Sequence, residues 1–266
     1  MRFGRVSARR SGWCGLRETN GDLVCVTDGV ISEQQSGPFA DLDLIDSGDW
    51  SYRCLLRPNG QVVCDGQPDL SVPLASFQSV AVGLHAACAV GDQALDCWRP
   101  AALPQIAASG AVNVLGSVQE GNVCWNTNGV WSCQGVQGER WLPAPGNYSL
   151  ALATRDGACA AIVPLAPGLP SGLPPDVDAA LHTAQISCFS AQGMSNKLLG
   201  YFSVFDVGPD ADGCGYDSAS STAVCWGHLG GAVPSRTIGP YLAVSVADAQ
   251  ACWLAASGVV ECAAPP

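Results

Sequence analysis

Cations are scarce in this sequence. Twelve of its 266 residues are lysine or arginine, with Lys197 the single lysine, against 23 acidic residues, which gives a net charge of −11. The only grouping of cations is Arg2, Arg5, Arg9 and Arg10 near the start. Because binding to a phosphate backbone requires clustered cations, nucleic acid is not expected as a partner.

Other features are missing as well. No run of 18 apolar residues is present, so no membrane insertion is expected. The sequence lacks G-x-S-x-G, H-E-x-x-H and a phosphate-binding loop, so it predicts no catalytic residue and no cofactor. It has no C-x-x-C, and His85, His182 and His228 lie far apart, which argues against a metal site. Residues 206–213 resemble a calcium loop without its distal glutamate, so an ordinary turn is expected there.

What the sequence does contain is 14 cysteines, spread evenly from Cys14 to Cys262. An even, distributed count indicates disulfides and an oxidising compartment, either extracellular or periplasmic. No signal peptide is visible after Met1, so we expect the natural protein to begin upstream. Taken in order, the cysteines form seven predicted pairs: Cys14–Cys25, Cys54–Cys64, Cys88–Cys97, Cys124–Cys133, Cys159–Cys188, Cys214–Cys225 and Cys252–Cys262.

The residues between paired cysteines predict tight hairpins. The two members of a pair are 9 to 11 positions apart, except in the fifth pair, where they are 29 apart. The midpoint of C-W-N-T-N-G-V-W-S-C is Asn128–Gly129, which suits a two-residue type I′ turn. That turn places Cys124 opposite Cys133 at a non-hydrogen-bonded position, where a disulfide fits. Pro58-Asn59-Gly60 and Ala256-Ser257-Gly258 predict three-residue loops with a left-handed glycine.

The cysteine pairs mark a structural repeat. Their first members recur every 34 to 40 residues once the excess of the fifth pair is subtracted, a period typical of propellers and solenoids. Alternating apolar segments such as Phe39-Ala-Asp-Leu-Asp-Leu precede the pairs, and Pro- and Gly-punctuated stretches such as Asp69-Leu-Ser-Val-Pro-Leu follow them. Each unit therefore reads as four strands, although the last runs out of residues before its fourth.

The predicted fold is all-β: a seven-bladed β-propeller of four-stranded blades with one hairpin disulfide per blade. It forms a single domain over residues 1–266. The predicted repeats are approximately 3–38, 39–76, 77–107, 108–146, 147–200, 201–240 and 241–266.

The hairpin units carry a family resemblance. C-G-L-R-E-T-N-G-D-L-V-C from Cys14, H-A-A-C-A-V-G-D-Q-A-L-D-C-W from His85 and A-V-C-W-G from Ala223 resemble the repeat of the regulator of chromosome condensation family. The paired cysteines make the chain similar to secreted bacterial members and to plant Crinkly receptor ectodomains. The resemblance implies a propeller. A nuclear exchange-factor activity is not carried over, since seven disulfides would not persist in a reducing nucleus.

Two segments are candidates for binding. The loops just before the first cysteine of each pair should gather on one face, and they hold Trp13, Trp50, Tyr52 and His85, although core packing is an alternative for each tryptophan. The Pro-rich insertion at 162–185 is either functional or disordered.

The predicted function is that of a secreted, monomeric, non-catalytic module that binds a protein or other macromolecular partner through one propeller face. The alternative is an extracellular lyase or glycosidase with carboxylates in the central channel. Against that alternative, the acidic residues that the pattern places are expected mostly in turns.

Overall fold

The computed structural model describes residues 1–46, 51–66, 75–83, 86–92, 94–98, 112–119, 122–135, 137–142, 148–163, 185–231, 239–247 and 250–264. Within these ranges the chain is a succession of short strands with one 3-10 helix at Gly227–Leu229. No helix in the described ranges has the length and apolarity needed to cross a bilayer.

The strands form seven antiparallel sheets, numbered 1 to 7 in chain order, and each sheet takes its strands consecutively from the sequence. The bounds are, for sheet 1, β1 Phe3–Arg9, β2 Gly12–Arg17, β3 Leu23–Thr27 and β4 Val30–Gln35; for sheet 2, β5 Asp41–Asp46, β6 Ser51–Leu56 and β7 Val62–Asp65; for sheet 3, β8 Ser79–Gly83, β9 Ala86–Gly91 and β10 Ala94–Trp98; for sheet 4, β11 Val112–Gln119, β12 Asn122–Thr127 and β13 Val130–Gln134; for sheet 5, β14 Tyr148–Thr154, β15 Gly157–Ile162, β16 Gln185–Ser190 and β17 Gly193–Leu199; for sheet 6, β18 Phe202–Val207, β19 Gly213–Asp217 and β20 Thr222–Trp226; and for sheet 7, β21 Tyr241–Ala247, β22 Gln250–Ala255 and β23 Val260–Ala263.

Four strands per sheet are present in sheets 1 and 5, whereas the described residues of the other five sheets contain three. One stretch that was expected to supply a fourth strand, at 69–74, lies outside the described residues. The insertion in the fifth hairpin does not disturb the ladder, because Ile162 still pairs with Gln185 on either side of it. Residues 164–184 of that insertion lie outside the described residues.

Each predicted cysteine pair is a disulfide between the second and third strands of its sheet, with Cα atoms 3.9 to 4.1 Å apart. The short separation fits a non-hydrogen-bonded pair, in which facing residues come closest. The hairpin chemistry agrees with this register. Asn128 and Gly129 have φ of 52° and 87°, as a type I′ turn requires, and Gly60 and Gly258 have φ of 83° and 78°.

The sheets pack face to face in a closed series. The first strand of each sheet contacts the first strand of the next, and β21 of sheet 7 contacts β1 of sheet 1. At this junction Phe3, Val24 and Leu254 form a buried apolar cluster, and the Phe3 amide donates to the Gly258 carbonyl at 2.8 Å. Within the described residues the first and last sheets meet as neighbours, without exchanging a strand.

An aromatic ring near the start of many first strands fills the core between sheets. Phe3 packs edge-on against Trp13, Phe77 against Trp98 and Tyr148 against Phe189. These rings replace part of the apolar volume that the small residues Ala, Gly and Ser of the second strands do not supply.

Candidate functional site

The antiparallel order of the strands sorts the loops onto two faces. The turns between first and second strands, including residues 10–11, 155–156 and 208–212, lie together with the third-to-fourth connections on one face, here called the turn face. The disulfide-linked hairpins, including residues 57–61 and 128–129, lie on the opposite face, here called the hairpin face. The described loops just before the first cysteine of a pair therefore lie on the turn face.

Three clefts on the turn face join into one groove. Their volumes are about 220, 260 and 280 Å³. The first two share Asp156 and Gln192, and the last two share Pro209 and Asp210. The turn-face groove crosses sheets 4 to 7 and is lined by Asn122, Gln137, Glu139, Trp141, Thr154, Arg155, Asp156, Gln192, Ser195, Lys197, Pro209, Asp210, Asp212, His228, Val246 and Ala247, among others.

Hydrogen bonds between neighbouring sheets hold the groove in shape. The Arg155 amide donates to the Pro209 carbonyl at 2.8 Å, and its guanidinium pairs with Asp210 at 2.9 Å. The Asn122 side chain donates to the carbonyls of Thr154 and Arg155 at 2.7 and 2.8 Å. Because these bonds tie together the turns of sheets 4, 5 and 6, this part of the groove is formed before any partner arrives.

The loop between β18 and β19 supplies the acidic wall of the groove. The Gly208 amide donates to the Asp212 carbonyl at 2.8 Å, and Ala211 has φ of 62°, so residues 208–212 form a closed turn. The Asp212 carboxylate contacts Nδ1 of His228, which follows β20. Within the described residues, no group of three His, Cys, Asp or Glu side chains is placed to hold a metal ion.

The four residues proposed for binding from sequence are not brought together in this groove. Trp13 is half-buried and packs against Phe3, with ring centroids 4.8 Å apart. Tyr52 is 2% exposed and lies in the core between sheets 2 and 3, and burial raises the pKa of its hydroxyl to about 12. Trp50 and His85 lie outside the described residues. Tyr52 thus contributes to the core, and a binding role for the other three stays a prediction.

Sequence reasoning did not identify the groove residues, because no motif marks them. Asn122 occupies the position two residues before the first cysteine of its repeat, and Gln250 occupies the same position in sheet 7. Gln250 donates from its side chain to the carbonyls of Arg9 and Gly12, the equivalent turn of sheet 1. A carboxamide at this position was the one signal that the sequence offered for turn-to-turn contacts.

A second set of polar side chains lies on the first strands, in the position that faces the first cysteine of each pair. This position holds Ser7, Asp43, Ala81, Ser117, Leu152, Asp206 and Ser245. Asp43 accepts the Val82 amide at 2.7 Å, Asp206 the Val246 amide at 2.7 Å, Ser117 the Ala153 amide at 2.7 Å and Ser245 the Ala8 amide at 2.9 Å.

These bonds satisfy amides on the inner edge of the ring of sheets. In every case the donor belongs to the first strand of the following sheet. It comes one position after the residue of that strand that faces the first cysteine of its own pair. Such amides point away from the second strand and would otherwise be unpaired at an open sheet edge. The carboxylates and hydroxyls therefore protect the edge and link each sheet to the next.

Three of the carboxylates on these strands are held at raised pKa. Burial raises the pKa of Asp43 to about 7, assisted by the negative charge of Asp206, and burial raises the pKa of Asp206 to about 6. Burial also raises the pKa of Asp41, opposed by Arg5 at 3.3 Å. Asp41, Asp43 and Asp206 are exceptions to the expectation that acidic residues lie in turns.

Solved structures of similar fold extend over nearly the whole chain. The Crinkly WD40 ectodomain of the Arabidopsis thaliana receptor kinase ACR4 is 17% identical and superposes with a TM-score of 0.66, over 97% of this chain and 93% of that one. The entire ectodomain of the Physcomitrella patens receptor kinase CR4 is also 17% identical, with a TM-score of 0.63 over 98% and 72% of the two chains. BamB from Moraxella catarrhalis is 11% identical, with a TM-score of 0.52 over 98% and 95%.

The fold is propeller-like. At these identities the likeness concerns the fold alone. No protein-family model and no curated protein matches the sequence. The structural likeness covers the Crinkly ectodomains that the sequence resembles, whereas the chromosome-condensation repeat itself has no support beyond the sequence motifs.

Proposed function

We propose that this chain is a secreted, non-catalytic module that recognises a protein or other macromolecular partner through its turn face. The observation that carries the proposal is the turn-face groove, which runs over four adjacent sheets. Binding surfaces are commonly built from loops held on a rigid scaffold. Since the turns are already bonded to one another, the free energy of association is not spent on ordering them.

We also infer that the seven sheets are the seven blades of one propeller with repeats of the chromosome-condensation type. Three observations support this architecture: one disulfide per sheet, first cysteines that recur every 34 to 40 residues once the excess of the fifth hairpin is subtracted, and contact between sheets 7 and 1. We propose a monomer on the same basis, because a closed ring of sheets leaves only short, protected sheet edges for a second copy.

Secretion is supported by the sulfur chemistry. All seven disulfides join neighbouring strands of one sheet, and no cysteine is free. Bonds of this kind persist in extracellular or periplasmic surroundings and are reduced in the cytosol. The two receptor-kinase domains of similar fold are ectodomains, which agrees with this compartment.

The raised pKa values of Asp43 and Asp206 are the observation that favours the alternative, an extracellular lyase or glycosidase. General acids work with raised pKa values. However, the two oxygens of Asp43 accept the amides of Leu44 and Val82, and the serines at the equivalent position accept the same inter-sheet bond. The shared bond supports a structural role for these aspartates.

The test compares two surface variants. Asp156→Arg with Gln192→Arg places two cations in the turn-face groove, and Val130→Arg changes a 62% exposed side chain on the hairpin face. Each purified protein, disulfides intact, is used to capture partners from the medium and surface fraction of the source cells, and the partner affinity is then measured directly. We expect the groove variant to weaken binding at least tenfold and Val130→Arg to leave it unchanged.

The opposite pattern, with binding lost in Val130→Arg and retained in the groove variant, would place recognition on the hairpin face and contradict the proposal. The enzyme alternative has its own readout. Turnover of a polysaccharide by the wild-type protein that disappears in folded Asp43→Ser/Asp206→Ser protein would establish catalysis in the channel.

A further inference from the structure

A cleft on the hairpin face is separate from the turn-face groove. It has a volume of about 420 Å³ and lies between sheets 1 and 2. Its walls are residues 35–39, which lead from β4 to β5, and residues 57–59 of the second hairpin. This hairpin-face cleft is within the size range of small-molecule sites.

Backbone hydrogen bonds fix both walls. The Gly37 amide donates to Asp22 at 2.8 Å and the Phe39 amide to the Gly21 carbonyl at 3.0 Å, which anchors the first wall on sheet 1. The Arg57 amide donates to the Gln61 carbonyl at 2.8 Å and closes the second hairpin. The cleft is therefore part of the folded framework rather than a gap between free loops.

The charge of the cleft is opposite to that of the chain. Its lining contains one charged side chain, Arg57, and no carboxylate, although the whole sequence carries a net charge of −11. Within the described residues the Arg57 guanidinium has no hydrogen-bond or ion-pair partner, and the side chain is exposed. An exposed guanidinium in a concave site is suited to bidentate binding of a carboxylate.

The remaining polar groups of the cleft add donors. The Asn59 side-chain oxygen accepts the Gln61 amide at 3.1 Å, which leaves the amino group of Asn59 to donate outward. Gln35 and Ser36 also line the cleft, and no described residue bonds their side chains. Pro38, Phe39 and Pro58 supply apolar ring surface beside these donors.

We propose that the hairpin-face cleft binds a small organic carboxylate, with the acid group on Arg57 and Asn59 and an apolar body against the proline rings. This site goes beyond the recognition of a macromolecule on the turn face. It uses different residues on the opposite face, so either proposal can fail without the other.

The test pairs acids with their neutral amides. Phenylacetate, cinnamate and acetate, each with its amide, are titrated into the oxidised wild-type protein and followed by ¹H–¹⁵N NMR and calorimetry. We expect phenylacetate or cinnamate to bind at least tenfold more tightly than its amide and to shift resonances of residues 35–39 and 57–59. Acetate should bind more weakly because it lacks the apolar body.

Arg57→Gln should remove the preference of the protein for acids over amides while leaving amide binding unchanged. Arg10→Gln makes the same substitution at an exposed arginine of the turn face that does not line the groove, and it should leave acid binding unchanged. Urea midpoints of both variants establish that they are folded. Equal affinities of acid and amide, an unchanged acid affinity in folded Arg57→Gln, or no binding of any acid would each overturn the proposal.

Discussion

Gly157 and Gly12 occupy the position two residues before the first cysteine of their repeats, and both face a backbone carbonyl. A Cβ at Gly157 would overlap the Phe189 carbonyl oxygen, and one at Gly12 would overlap that of Val26. These carbonyls belong to the third strands, which pair with the strands that begin at the two glycines. The absence of a side chain is therefore required by the close approach of the third strand at these two positions and not by an unusual φ.

We expect Gly157→Ala to lower the free energy of unfolding by about 2 to 3 kcal/mol, because the strand must shift to admit the methyl group. Urea unfolding with the disulfides intact measures this change. Gly29→Ala is the matched control, since Gly29 has φ of 78° but no atom within 4 Å of its added Cβ. It should cost about 1 kcal/mol. An equal loss in both variants would contradict the overlap with the Phe189 carbonyl.

Glycines in turns could be predicted from sequence, whereas Gly157 could not. Gly129 follows Asn128 at the centre of a cysteine pair, so local chemistry alone predicts its positive φ. The requirement at Gly157 arises from an atom of residue 189, on the far side of the insertion. Local sequence carries no information about that distance.

At the scale of the element, the unit is a hairpin closed by a disulfide. Six of the pairs are separated by 9 to 11 residues and the Cys159–Cys188 pair by 29. In the chain-entropy model a disulfide stabilises by about 2.8 kcal/mol for the shorter loops and about 3.6 kcal/mol for the longest. The shorter hairpins are also kept together by their own turns.

We therefore expect Cys159→Ala/Cys188→Ala to destabilise the protein more than Cys124→Ala/Cys133→Ala, by about 1 kcal/mol. Urea unfolding of the two double variants under non-reducing conditions gives the comparison. The 124–133 hairpin is the appropriate control because its separation of nine residues is the shortest in the chain, a value it shares with Cys88–Cys97. A larger loss in the 124–133 variant would show that native packing around the sulfurs, and not loop length, decides the contribution.

The strands and their register followed from the sequence because both signals are local. Alternation in Asp41-Leu-Asp-Leu predicted a strand, and Cys54 opposite Cys64 set the pairing of the next two. The hydrogen-bond partners of the polar side chains could not be predicted from the sequence in this way. Asp43 bonds Val82, 39 residues away in the neighbouring sheet, and only the packing of sheet on sheet creates that contact.

At the scale of the whole molecule, the candidate site depends on how neighbouring sheets meet around the ring. The turn-face groove takes residues from four repeats, and its outline depends on how Arg155, Asp210 and their neighbours meet between sheets. The sequence predicted the face, because every first-to-second-strand turn must lie on it. It could not predict which part of the face is concave, because that depends on how the side chains and turns of neighbouring sheets meet. The contact of Arg155 with Asp210 in the longer 208–212 turn is an example.

The carboxylates on the inner edge make stability depend on pH across the whole ring. Asp43 and Asp206 have folded pKa values of about 7 and about 6, against an ordinary value of 3.8. The folded protein therefore binds these protons more tightly than the unfolded chain does. The free energy of unfolding should fall as the pH rises through 6 and 7, and the contribution of protonated Asp43 and Asp206 should be complete only below about pH 4.

The expected result is a urea midpoint that decreases from pH 5.5 to pH 8.5, and Asp43→Ser/Asp206→Ser tests its origin. Serine occupies the same position in sheets 4 and 7, where Ser117 and Ser245 accept the inter-sheet amide, so the variant can keep the bond while losing the charge. Its profile should be flatter, and it should be more stable than the wild-type protein at pH 8.5.

Other titrating groups do not affect the comparison between the wild-type protein and the double-serine variant. A hydrogen bond from Arg53 lowers the pKa of Glu33. Burial raises the pKa of Asp217, but several hydrogen bonds, the first from Ser220, together lower it below its ordinary value. The contributions of both groups are therefore lost only at pH values below this window. Burial also raises the pKa of Asp41, but Asp41 is common to both proteins and its effect cancels in the difference. A slope that persists unchanged in the double-serine variant would mean that the inner-edge aspartates stay ionised in the folded ring, their charge balanced by the amides they accept.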